Sequence, residues 1–278
     1  MRCNHGERTI AVRKGNSIVY YRQMAGMRQF WDDHWREQRQ RAVNMLKRSA
    51  DGYLGRGTLA SSLVKHLPRK GIILEAGCGL GQYVLALRAR GYDCRGVDFA
   101  EDTVQWVLGH FPSAPLAVGD ILHLPFPDGS IAAYLSFGVA EHFADGPDRV
   151  LNEAHRVLEP RGRLLLSVPQ TFPLRLRRAM PEHTRVPHDY AFYQYAFAPN
   201  DFRGRLAKAG FNIAAECGYS CAFGLGMLLP EIVGKNFITR RAVQLVGLAV
   251  DHSFLWPLFA RMRLFVAVKA DTAADAPS

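Results

Sequence analysis

One stretch limits the folds open to this chain more than any other: Ile72-Ile73-Leu74-Glu75-Ala76-Gly77-Cys78-Gly79-Leu80-Gly81. A short apolar run ends in an acid. Three glycines then alternate with other residues before a helical pattern from about Gln82 to Arg90. This predicts a buried parallel strand, a tight turn and a helix N-terminus. Glycines at such a turn adopt backbone angles that other residues avoid, and they let a ligand touch the main chain. The free amides of the helix start then face polar ligand atoms. The dinucleotide fingerprint needs a third glycine three residues after the second. Counted from Gly79 that position is Gln82, so the run reads instead Glu-x-Gly-x-Gly-x-Gly.

From residue 71 onward strands and helices alternate. Strands are expected at 71–76, 94–98, 116–118, 131–136 and 163–168, with helices from about Glu101 to Leu108 and Pro147 to Leu158. Such alternation specifies a mainly parallel sheet covered on both faces. Residues 169–198 break the rhythm with four prolines and a crowd of His, Tyr and Phe. A helix ending at Lys208 before Gly210, and a strand from Phe211 to Cys217, restore it. A second insertion, 218–262, is apolar and helical, most clearly over 239–250, and Leu264 to Val268 forms the last strand. Ahead of all this, residues 1 to about 20 make a small hairpin around Lys14-Gly15-Asn16 or a loose arm. Residues 21–50 read as helical, with Phe30, Trp31, His34 and Trp35 forming an aromatic face, and a further helix runs from Thr58 to His66.

The companions of the glycine turn make the pattern specific. Glu75-Ala76-Gly77-Cys78-Gly79-Leu80-Gly81, Gly96-Val97-Asp98, Gly119-Asp120-Ile121, Ala140-Glu141-His142-Phe143 and Val157-Leu158-Glu159-Pro160-Arg161-Gly162-Arg163-Leu164 occur in that order. Together they resemble the cofactor half of a class I S-adenosylmethionine (SAM)-dependent methyltransferase, of the group that includes ubiquinone and menaquinone methyltransferases. The resemblance covers residues 71–168. It implies an α/β, Rossmann-like sheet of seven strands with the last antiparallel, and SAM as cofactor. The resulting layout is an N-terminal arm and helical lid over 1–57, a methyltransferase domain over 58–269 carrying both insertions, and a disordered tail over 270–278. By position, Gly77, Cys78, Gly79 and Gly81 would line the methionine part of SAM. Glu75 would hold the turn and reach the ammonium, Asp120 with Ile121 would bind adenine, and Ser136 and Phe137 would border the sulfonium. Asp98 ends its strand 17 residues after Gly81. A carboxylate there accepts from both ribose hydroxyls; its other open role is to cap the following helix. Phe99 beside it would pack on adenine. The family usually has two adjacent glycines after the proline, and Arg161 takes the place of the first.

Glu141-His142 follows the fourth strand of this series, close to where the methyl group should lie. Some relatives bind a divalent metal there through Glu-x-x-Glu-His; here Gly138 stands at the first glutamate, so no metal is expected. His142 is either a general base or a ring that ties its loop by hydrogen bonding. The acceptor is expected to meet residues 169–198, where His183, His188, Asp189, Tyr190 and Tyr193 crowd together, with this wall facing Trp31 and Trp35. His188 beside Asp189 is a candidate base or hydrogen-bond clamp. Arg175, Arg177 and Arg178 suit a phosphate or an acidic acceptor. Basic residues flank the 218–262 insertion, which packs as a cap or dimer contact or else rests on a membrane surface.

Composition narrows the partners. The 35 Lys+Arg against 25 Asp+Glu give a net charge of +10, which favours acidic partners and keeps an RNA acceptor among the alternatives. Against RNA stand the lack of an RNA-binding module and of an Asn-Pro-Pro-Tyr type motif after the fourth strand. The leading expectation is transfer to an oxygen or nitrogen of a small-molecule, glycan or lipid-linked acceptor. A non-catalytic SAM-binding or partner-binding subunit is the third reading. The five cysteines include no CxxC pair and read as reduced thiols. The N-terminus lacks a signal-peptide pattern, and no apolar run approaches the roughly 20 residues of a membrane span. A cytoplasmic chain, touching the inner membrane surface at most peripherally, is expected.

Overall fold

The computed structural model describes residues 9–24, 26–228 and 237–270. The disordered tail expected over 270–278 falls, from residue 271, outside them. Seven strands form the main sheet in the order β5-β4-β3-β6-β7-β10-β9. They are β3 (Ile72–Ala76), β4 (Asp93–Asp98), β5 (Leu116–Val118), β6 (Ile131–Phe137), β7 (Leu158–Pro169), β9 (Phe211–Tyr219) and β10 (Met262–Lys269). The strands from β5 across to β7 pair in parallel, and β10 runs antiparallel to both neighbours. The chain steps outward from β3 to β5 and then returns to β6 on the other side of β3. The reversal opens a crevice at the C-terminal ends of these two strands, the place where open α/β sheets take ligands.

The continuous apolar strands require cover on both faces. Ile73, Leu135 and Leu165 share one core with α1 (Met27–Ala50), α2 (Thr58–His66), α3 (Gln82–Ala89) and α4 (Glu101–His110). Leu74, Tyr134, Leu164 and Leu166 share the other with α5 (Asp148–Val157) and α7 (Pro199–Lys208). In α5 the buried residues are Val150, Leu151, Ala154 and Val157, one stripe at helical spacing. Each fully buried Val or Leu of such a stripe contributes roughly 1.5–3 kcal/mol.

Three departures from the sequence reading matter. The N-terminal helix begins at Met27, because residues 17–22 are still strand. The 169–198 segment contains, besides α6 (Pro173–Arg178), a strand β8 (Ala191–Ala196). It pairs antiparallel with β2 (Ser17–Arg22) of the hairpin that β2 forms with β1 (Thr9–Lys14), giving a second, three-stranded sheet. The partner lies far away in sequence, so local pattern could not announce it. Finally, β7 starts at Leu158 rather than Arg163. Residues 159–162 leave the ladder between the pairs Ile131–Leu158 and Ala133–Arg163, with Arg161 left-handed at φ 61°. Among its described residues, the second insertion contains α8 (Ala222–Leu228), α9 (Phe237–Asp251) and α10 (Trp256–Phe259). No helix among the described residues is long and apolar enough to cross a membrane.

Candidate active site

The glycine turn is tied to the neighbouring strand. The amides of Gly77 and Cys78 both donate to the Val97 carbonyl, at 2.8 and 3.1 Å. Gly79 has φ 51°, and a Cβ placed on it would lie 2.5 Å from the Trp35 ring, so the indole rests directly on this backbone. Asp98, buried at the end of β4, clamps the turn: Oδ2 accepts from the Gly79 amide at 2.7 Å and Oδ1 from the Ala100 amide at 2.9 Å. Burial raises the Asp98 pKa against the pull of these amides, and the Asp32 carboxylate on α1 adds to the rise.

Glu75, buried at the end of β3, faces the same crevice. It accepts from the Val84 backbone, but its Oε2 has no hydrogen-bond partner among the described residues. Burial pushes its carboxyl up to about 8. An unpartnered acid at this depth is costly unless a cation meets it. The amino group of SAM is such a cation, and the glycine floor beneath Trp35 offers bare main chain beside it. The residues present therefore fit the cofactor that the sequence resemblance implies: Glu75 for the ammonium, the turn for the methionine part, and Asp98 with its remaining lone pairs for the ribose.

Beyond β6 the chain makes a 3-10 turn over Ala140–His142. The His142 side chain is 9% exposed, with Trp31 at 4.9 Å and Tyr193 at 5.2 Å between ring centroids. Its Nδ1 lies 2.8 Å from the Tyr193 carbonyl. A carbonyl only accepts, so the neutral ring carries its proton on Nδ1 and Nε2 keeps a free lone pair. That carbonyl is available because β8 slips register against β2: Tyr20 pairs with Gln194 and Tyr21 with Phe192, leaving Tyr193 as the bulged residue. A bulge re-aims the groups it carries. Burial lowers the His142 pKa to about 4, the Tyr193 contact opposing this and His34 adding to it. Glu141 is buried more deeply, has Oε1 4.0 Å from His142 Nε2, and is pushed by burial up to about 8. Its Oε2 and the Ser136 hydroxyl at the end of β6 lack partners among the described residues.

The structure thus gathers Glu75, Gly77, Cys78, Gly79, Gly81, Asp98 and Trp35 at the turn, and Trp31, His142 and Tyr193 beside it. Phe137, at the end of β6, has Tyr83 against it at 5.4 Å. Phe99 is half-buried next to Asp98. Ile121 is buried, while Asp120 is exposed and accepts from the Leu122 amide and His123. His183 and His188 sit exposed on the loop before β8, Tyr190 is half-buried there, and Asp189 accepts from Gln23. Sequence reasoning missed Asp32 and Tyr83, and read Phe30 only as part of the aromatic face of α1. Phe30 closes on Tyr193 at 5.3 Å, and Arg22 lies 4.8 Å above the Tyr193 ring. Helical spacing was the available signal for Asp32, which shares the Trp35 side of α1. Among the described residues no group of three or more His, Cys, Asp or Glu could hold a metal ion.

A family model described as a methyltransferase domain matches residues 74–166. A 37.1 kDa protein of a Streptomyces fradiae transposon is 31% identical over 224 residues, covering 72% of this chain and 62% of that protein. Demethylmenaquinone methyltransferase of Thermus thermophilus is 32% identical over 168 residues, covering 52% of this chain and 76% of that protein. The chain spans about half the length of further curated relatives that it matches. Among solved structures, a SAM-dependent methyltransferase from Archaeoglobus fulgidus superposes with a TM-score of 0.52 at 12% identity, over 88% of this chain and 95% of that one, a likeness of fold. Strand order, glycine turn and sequence matches agree, and the chain belongs to the class I SAM-dependent methyltransferases.

Proposed function

We propose that this chain methylates an oxygen or nitrogen of a small-molecule, glycan or lipid-linked acceptor, with His142 as the general base. Bound SAM supplies an electrophilic methyl group on a positively charged sulfur. The chain aligns the acceptor with that group and takes up the proton the acceptor gives away. Trp31 and Tyr193 pack edge-on against the His142 ring, and Phe30 packs in turn on both of them. The observation that carries the reading is the 2.8 Å contact from His142 Nδ1 to the Tyr193 carbonyl, since it leaves Nε2 as the proton acceptor. With a pKa near 4 the ring stays unprotonated through the neutral range. Glu141 Oε1 lies 4.0 Å from Nε2, and with its carboxyl pushed up to about 8 it is neutral at pH 7 and sets no negative charge against the ring.

The test is a labelled-SAM assay against fractionated extract, with mass spectrometry of the product. His142→Gln should lower kcat by about 10²–10⁴-fold while SAM affinity holds. Unchanged kcat would remove His142 from the reaction. Labelled product destroyed by ribonuclease would favour an RNA acceptor. SAM binding without single-turnover transfer to any fraction would favour a non-catalytic subunit.

A further inference from the structure

The 218–262 insertion has its apolar face on the outside. Inside, its helices pack closely through glycines: a Cβ on Gly247 of α9 would lie 2.6 Å from the Ala222 backbone of α8, and one on Gly224 would lie 2.4 Å from the Phe259 carbonyl of α10. With that contact made, an ordinary surface helix would turn charged residues outward. Instead α9 exposes Leu245 (67%), Val246 and Leu248, and the α9–α10 segment exposes Phe254 (88%) and Leu258. Large apolar side chains exposed together on one insertion mark an interaction site.

Its charge is one-sided. Among the described residues of the insertion, Asp251 is the sole carboxylate, and it is buried with Oδ1 accepting from the Cys221 amide at 2.8 Å. Arg241, one turn before Leu245, is exposed, as are Arg177 and Arg178 of α6. The Arg178 guanidinium donates to the Met227 carbonyl at 2.6 Å, which fixes this basic pair beside α8. The chain as a whole carries +10.

The geometry points to an anionic lipid bilayer as the occupant of this face. Leu245, Val246 and Phe254 would enter the headgroup boundary while Arg241, Arg177 and Arg178 meet lipid phosphates. A second copy fits worse, because a two-fold contact would set these cations against their own counterparts, with no exposed carboxylate among the described residues of the insertion. The docking also has a direction. β9 is parallel to β7, so the insertion leaves the sheet at the edge that carries the glycine turn. It returns at Met262, whose Cε lies 3.8 Å from where a Gly138 Cβ would be. The ligand edge of the sheet therefore lies next to the face that meets the bilayer.

Co-sedimentation of the full chain with vesicles tests this without SAM or acceptor, so it fails or succeeds apart from the methyl-transfer reading. Vesicles of phosphatidylcholine mixed with phosphatidylglycerol should pellet the protein, with binding roughly tenfold or more weaker on pure phosphatidylcholine or in high salt. Leu245→Ser with Phe254→Ser should weaken binding by a similar factor, with unchanged melting because both side chains are exposed. Failure to pellet on the anionic vesicles, or undiminished binding of the double variant, overturns the proposal. So does a dimer, seen by light scattering, that the double variant dissolves.

Discussion

At the scale of single residues, Asp98 is not the helix cap that sequence offered as its other role, since Ala100 stands at the N-cap of α4. It holds the Gly79 and Ala100 amides and still has lone pairs for a ligand. Asp98→Ala therefore removes a ligand contact and also strands two buried donors, each costing about 1–3 kcal/mol. Asp98→Asn keeps an acceptor for one amide. The alanine variant should lose more thermal stability than the asparagine variant, while calorimetry shows both weakening SAM by roughly 1.5–3 kcal/mol. Unchanged SAM affinity in a folded Asp98→Asn protein would free this residue from the cofactor. Glu75 gives a second measurement. Its carboxyl, pushed up to about 8 by burial, is protonated at neutral pH; a bound ammonium would favour the ionised form. SAM binding should then release close to one proton at pH 7, seen as a binding enthalpy that changes with the ionisation enthalpy of the buffer. Glu75→Gln should abolish that dependence, and its absence in the wild type would sever Glu75 from the ammonium. The glycine turn and both acids were legible in the sequence because their requirements are local: a backbone without Cβ, and an acid at a strand end. The His142 tautomer was not, since it depends on a carbonyl freed by a one-residue slip between β2 and β8.

At the scale of elements, α1 decides access to the crevice. It is fastened to α4 by Arg36 to Asp102 at 3.5 Å and Arg39 to Thr103 at 3.4 Å, and its Trp35 ring lies on Gly79. Cofactor atoms resting on that glycine must displace the indole. Of the four tryptophans, Trp31 and Trp35 adjoin the turn, whereas Trp106 packs under Arg39 and Trp256 under Arg263. SAM should therefore change the intrinsic fluorescence. Trp35→Phe should remove most of that change, and Trp106→Phe should leave it. A signal that survives in Trp35→Phe but vanishes in Trp106→Phe would mean that α1 stays put. Elements bounded by breaking residues were readable: α2 stops before Pro68 and β5 before Gly119, and both occupy the residues expected of them. β8 was hidden, because Ala191–Ala196 sits among prolines and its partner strand lies far off at the N-terminus.

For the whole molecule, the buried titratable groups set how stability follows pH. Glu75 and Glu141 have folded pKa values of about 8 against an ordinary 4.5, so the folded chain holds two protons that the unfolded chain releases between these limits. Their contribution is fully present below pH 4.5 and is lost as pH rises through 8. His142 has the opposite sign. Its folded pKa of about 4 lies below the ordinary 6.5, so its contribution is full above 6.5 and is lost as pH falls toward 4. Between 6.5 and 8 both carboxyls act unopposed; between 4.5 and 6.5 His142 opposes them, together with His34, His66 and His155, whose pKa values burial also lowers. Each unopposed group changes stability by on the order of 1 kcal/mol per pH unit. Urea midpoints should therefore fall with rising pH from 6.5 to 8, more steeply than over any part of the range below. Replacing either acid, as Glu75→Gln or Glu141→Gln, should remove about half of the steeper slope, and saturating SAM should flatten the share that belongs to Glu75 alone. Midpoints that rise across the 6.5–8 window, or slopes untouched by both substitutions, would show that these carboxyls are ionised in the folded chain and that the crevice holds its acids charged before any ligand arrives.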